Sequence, residues 1–125
     1  MPRILKSISL DEVPDLRGKK RADYLLLLEG GVLVVLEETS KPRLEDLDEK
    51  LPMTIEWLRR RGPANVGISP HEIRGIVAVC HFRRGIGGFS KYAIPLASRF
   101  KRDYGVPLLL CKCRRWSDLL GKLRL

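Results

Sequence analysis

Apolar positions along this chain recur with two different periods. Residues 25–28 (LLLL) and 32–36 (VLVVL) are unbroken apolar runs of strand length, separated by Glu29-Gly30-Gly31. The spacing predicts a hairpin, Asp23–Glu29 and Val32–Thr39, with the glycines in its turn. Both arms are apolar on both faces, so the sheet they join is expected to be covered on both sides. Residues 73–82 (IRGIVAVCHF) and 106–113 (VPLLLCKC) read as two further buried strands, and 3–10 (RILKSISL) as a first strand or the end of an N-terminal helix. Between the strands the period lengthens. Leu44, Leu47, Leu51, Ile55 and Leu58 follow one another at three or four residues, predicting an amphipathic helix from about Ser40 to Arg61 that Gly62-Pro63 ends. Pro52 should kink or interrupt that helix. A second helix is expected from about Lys91 to Tyr104, stopped by Gly105, and a short terminal one over Trp116–Leu123. Helix-connected strands after an antiparallel start predict an α/β fold with a mixed central β-sheet flanked by helices on both faces.

At 125 residues the chain fits a single domain with a core of its own. No run approaches the roughly 18 apolar residues of a membrane span. The N-terminal MPRILKS lacks the apolar region of a secretory signal, which points to a cytoplasmic protein without a membrane partner. The chain contains no Gln and a single Asn, Asn65, beside abundant Arg, Lys and Glu, a pattern found in hyperthermophiles. Cys80, Cys111 and Cys113 are too few for a disulfide framework. With His71 and His81 they raise the question of zinc, but no C-x-x-C or H-x-x-x-H spacing is present, so core thiols are expected. In a hyperthermophile an intramolecular disulfide is the other option.

Charge changes the picture more. Lys and Arg number 24 against 15 Asp and Glu, a net charge of +9. Such an excess points to an anionic partner, above all nucleic acid. The cations cluster. Lys19-Lys20-Arg21 precedes the hairpin, Arg59 and Arg60 close the first helix, and Arg83-Arg84 with Lys91 flank a glycine-rich segment before the second. Backbone N–H groups at that helix start could hold a phosphate, although the P-loop spacing is absent. No base-reading motif accompanies these clusters, which favours structure-selective over sequence-selective binding.

The hairpin has an acid at the outer end of each arm: Asp23 on the first, and Glu37 and Glu38 on the second. Paired carboxylates suit Mg²⁺, which takes a few oxygen ligands together with water and substrate phosphate. Only one glutamate can share the face of Asp23. With Gly30-Gly31 as a two-residue turn Asp23 faces Glu38; with Glu29-Gly30-Gly31 as a three-residue loop it faces Glu37.

An acid, a hairpin, a second acid and a short polar run into a helix together resemble the PD-(D/E)XK nuclease superfamily, with its restriction-endonuclease-like fold. The likeness is closest to archaeal Holliday-junction resolvases, and it covers most of the chain. It implies a Mg²⁺-dependent endonuclease acting on DNA or branched DNA, and a homodimer. By that resemblance Asp23 and Glu37 hold the metal, and Glu12 in the N-terminal segment is a further catalytic acid. The family lysine falls at Thr39, so it is missing from its position, and Lys41, Lys19 or Lys20 would have to replace it. Two other readings stay open: a nuclease-fold module that grips DNA or RNA without cutting it, and an assembly subunit whose basic face meets an acidic protein.

Overall fold

In a computed structural model, the structure describes residues 3–39, 46–82 and 89–112. Five strands, β1 (Ile4–Ser9), β2 (Tyr24–Leu28), β3 (Val32–Thr39), β4 (Gly75–Phe82) and β5 (Leu108–Lys112), form one sheet in sequence order. The first two pairings are antiparallel and the last two parallel, so the sheet is mixed, as the connections require. The first segment is a strand and not a helix end, and residues 10–16 form two 3-10 turns between it and the hairpin.

Helix α1 (Leu51–Arg61) joins β3 to β4, and helix α2 (Phe89–Tyr104) joins β4 to β5. Pro52 does interrupt the helical pattern. It has no N–H to give, and its ring crowds the carbonyl four residues back; the chain meets this with a π-helical turn over Asp46–Lys50 that becomes regular α-helix only at Leu51. Gly62, at φ 77°, ends α1 where expected.

Strand alternation divides the core. Leu25, Leu27, Leu33, Val35, Ala78 and Cys80 face the helices, meeting Leu51, Ile55 and Leu58 of α1 and Phe100 of α2. Leu26, Leu28, Val34, Leu36, Val79 and Cys111 lie on the other face. Residues on both faces are buried, as the unbroken apolar runs imply. Among the described residues both long helices pack on the first face; the expected helix over Trp116–Leu123 lies outside them.

Because β3, β4 and β5 are parallel, their carboxyl ends share one side of the sheet, to which the start of β2 also returns. In open α/β sheets ligands bind beyond this side. Asp23, Glu37 and Glu38 all lie there.

Candidate functional site

The turn decides the hairpin register. Tyr24 pairs with Leu36 and Leu27 with Leu33, the register of the three-residue loop, which aligns Asp23 with Glu37. Gly31 makes this loop possible: its φ is 92°, and a Cβ there would meet the Glu72 carbonyl oxygen at 2.7 Å. At the far end the ladder breaks off. The Asp23 N–H donates to the Leu36 carbonyl at 2.9 Å, and the Glu38 N–H donates to Oδ2 of Asp23 at 2.8 Å. The Asp23 carboxylate therefore ties off the end of β3.

Glu37 follows Leu33 and Val35 onto the helix face and is 2% exposed. A carboxylate that deep needs compensating charge or hydrogen bonds. The ammonium of Lys50 stands 3.9 Å from Glu37 Oε1. Lys50 is the last residue of the π-helical turn, and its side chain is one-third exposed, so the ammonium joins the buried acid to the surface. A bridge holds this geometry: the buried Thr54 hydroxyl accepts the Ala22 N–H at 2.8 Å and donates to the Lys50 carbonyl at 2.8 Å. The start of α1 is thereby fastened to the residue preceding Asp23.

Glu38 points to the opposite face with His81, whose Nδ1 is 3.7 Å from Glu38 Oε1. The two acids of the dipeptide thus serve different neighbourhoods. Glu37 shares its side of the sheet with Lys50, and Glu38 shares its side with His81.

The remaining expected residues are dispersed. Glu12 is exposed in the 3-10 turn after β1, at the carboxylate end of the sheet, because the Leu10 N–H donates to the Asp23 carbonyl. Lys19 and Lys20 are exposed just before Asp23, and Lys20 pairs with Glu49. Arg21 is turned inward: its guanidinium donates to Asp11 at 2.6 Å and to the Leu16 and Lys19 carbonyls. These bonds make it a clasp on the 3-10 segment. Arg59 and Arg60 are exposed at the end of α1, which runs from the carboxylate side of the sheet to the opposite side. Arg59 also donates to the carbonyl of Tyr104, the last residue of α2, at 2.7 Å. Lys91 lies in the first turn of α2, at the carboxylate end. Lys41, Arg83 and Arg84 fall outside the described residues.

Lys50 was not foreseen. The signal that could have found it is Pro52: a proline within a first helical turn places Lys50 next to a helix start, close to where β3 ends. Among the described residues no three of His, Cys, Asp and Glu converge as metal ligands. What Asp23 and Glu37 offer is a pair of carboxylates, an oxygen donor set suited to a hard cation that keeps most of its waters. One N–H bond to Asp23 leaves further lone pairs for such an ion. None of the described helices is long and apolar enough to cross a membrane. Compared with protein-family models, curated proteins and solved structures, the chain matches none.

Proposed function

We propose that this protein is a nuclease-fold, structure-selective DNA endonuclease dependent on Mg²⁺, with Asp23 and Glu37 as metal ligands and Lys50 as the functional lysine. The observation that carries this reading is the 3.9 Å approach of the Lys50 ammonium to buried Glu37, on the hairpin end that also holds Asp23. An acid pair with an adjacent ammonium is what metal-assisted phosphodiester hydrolysis needs, and here the ammonium comes from the helix start in place of position 39. A bound Mg²⁺ supplies a water of lowered pKa and stabilises charge on the phosphate. The residues of the chain do the rest. Asp23 and Glu37 orient the ion, Lys50 holds a positive charge beside the reacting phosphate, and Lys19 and Lys20 attract the backbone of the nucleic acid.

A second reading keeps the binding and drops the chemistry. It is favoured by the Asp23 carboxylate being occupied by the Glu38 N–H, and by Glu37 being almost wholly buried with an ammonium at hand. Labelled duplex, single-stranded and four-way-junction DNA, with and without Mg²⁺, separates the two. Cleavage that requires Mg²⁺ and falls by about two orders of magnitude or more in Asp23→Asn, Glu37→Gln and Lys50→Met supports the nuclease. Salt-sensitive binding with no cleavage in any metal supports the binding module. Absence of binding at low salt removes both, leaving an assembly role with an acidic protein partner.

A further inference from the structure

Three consecutive residues of the π-helical turn each reach a different part of the fold. Asp48 accepts from Arg99 of α2 at 3.0 Å, Glu49 pairs with Lys20 in the segment before β2, and Lys50 stands at Glu37 of β3. Adjacent residues of a helical turn do not face one another, so the three contacts fan out. The turn is thereby fastened to α2 through Asp48 and presents Glu49 to the basic run Lys19-Lys20-Arg21. Two cations of that run are held in different ways. Arg21 is bonded to Asp11 and to two backbone carbonyls, and its side chain is 22% exposed. Lys20 and Glu49 are far more open, at 53% and 47%. An exposed pair of this kind changes an equilibrium by about fivefold at most. A nucleic-acid backbone offers Lys20 the same anionic oxygens and, in addition, releases counterions as it is neutralised. Glu49 therefore holds the ammonium when no nucleic acid is present, and a phosphate displaces it when one is.

We propose that Glu49 is an autoinhibitory counter-ion for Lys20. In the free protein its carboxylate occupies the ammonium that a nucleic-acid phosphate takes in the complex, so binding at this end of the sheet exchanges one anion for another. The inference rests on the nucleic-acid reading of the carboxylate end, and not on cleavage. The latch regulates the candidate site because both are built on the same turn. Lys50 follows Glu49 directly, and Lys20 lies two residues before Ala22, whose N–H donates to the Thr54 hydroxyl that in turn donates to the Lys50 carbonyl. A polyanion that does not reach this turn leaves Lys20 paired and gains nothing from it. One that lies across Asp23 and Glu37 displaces Glu49 and gains the contact. Glu49 thus favours ligands seated at the acid pair over the same charge bound elsewhere on a basic protein.

The test is a double-variant cycle on binding, read by fluorescence anisotropy with labelled duplex and four-way-junction DNA, without divalent metal and at about 100 mM salt. Glu49→Gln should tighten binding about two- to fivefold, the range of an exposed pair. Lys20→Gln should weaken binding about two- to fivefold more in the Glu49→Gln background than in the otherwise wild-type chain, because the lysine there gives up no carboxylate. Glu56→Gln removes the same charge from an exposed position on α1 and should show no such coupling to Lys20→Gln. All three positions are exposed, so the fold is expected to tolerate each change. Additive effects of Glu49→Gln and Lys20→Gln, or an equal coupling at Glu56, would overturn the latch while leaving nucleic-acid binding in place. No binding by the wild type or by Glu49→Gln at low salt would remove the nucleic-acid reading and the latch with it. The expected coupling without any Mg²⁺-dependent cleavage would support the latch and set aside the nuclease alone.

Discussion

Glu37 is one of three polar or charged side chains buried among the described residues, and it alone is a carboxylate. Removing one member of a buried pair leaves the other charge in a medium that solvates it poorly, and such losses reach about 3–5 kcal/mol for fully buried pairs. Lys50 is one-third exposed, so water replaces part of what it gives, and the expected cost is smaller. Lys50→Met should lower unfolding stability by about 1–3 kcal/mol in urea titrations. Adding Glu37→Gln should recover much of the loss, because the amide carries no charge to compensate. A double variant no more stable than Lys50→Met would show that the two side chains are not coupled. Glycine supplies a second case at this scale. Gly30 and Gly31 both have positive φ, but a Cβ meets nothing at Gly30, while at Gly31 it would lie 2.7 Å from a backbone oxygen. Gly30→Ala should cost about 1 kcal/mol, from the left-handed backbone alone. Gly31→Ala should cost clearly more and disturb the adjoining hydrogen bond from the Arg74 N–H to the Gly31 carbonyl. Equal losses would mean that the approach of residue 72 does not matter.

At the scale of elements, Thr54 joins the start of α1 to the start of β2. Thr54→Val keeps the shape but removes the acceptor of the Ala22 N–H, a buried group, at an expected cost of about 1–3 kcal/mol. The same change should loosen Lys50 against Glu37, so any Mg²⁺-dependent cleavage should fall further than stability explains; unchanged cleavage would uncouple the bridge from the site. Helix α2 carries Pro95 in its interior, exposed to solvent. Pro95→Ala restores a backbone donor without disturbing the core and should raise Tm, consistent with a gain of about 1–3 kcal/mol. A lower Tm would mean that the bend at Pro95 is needed for packing. These elements also show what the sequence can carry. The hairpin, the end of α1 at Gly62 and the strand–helix alternation were legible because each rests on neighbours in the chain: apolar runs, glycines, a proline. Lys50 was not legible, because its partner lies across the connection from β3 and the helix was expected to run on from Ser40.

For the molecule as a whole, the net charge of +9 is a reason to propose an anionic partner, and the topology separates four of the described cations. Sequence order alone gave Lys19, Lys20, Arg59 and Arg60 equal standing. The parallel pairing of β3 with β4 separates them, since α1 must carry the chain from one side of the sheet to the other before β4 begins. Lys19 and Lys20 stand at the carboxylate end, while Arg59 is engaged with the end of α2 on the far side. A phosphate backbone lying across Asp23 and Glu37 would release counterions at the first pair and not at the second. Each neutralised phosphate contributes about 0.9 to the slope of log K against log salt for duplex DNA. Lys19→Ala with Lys20→Ala should therefore weaken duplex or junction binding several-fold near 100 mM salt and flatten the slope by about 1–2. Arg59→Ala with Arg60→Ala should leave the slope almost unchanged, even though both pairs remove the same formal charge. Equal losses from the two pairs in a fluorescence-anisotropy titration across salt concentrations would mean that the protein responds as a uniformly positive body. Binding would then lose its tie to the carboxylate end of the sheet, and with it the reason to expect chemistry there.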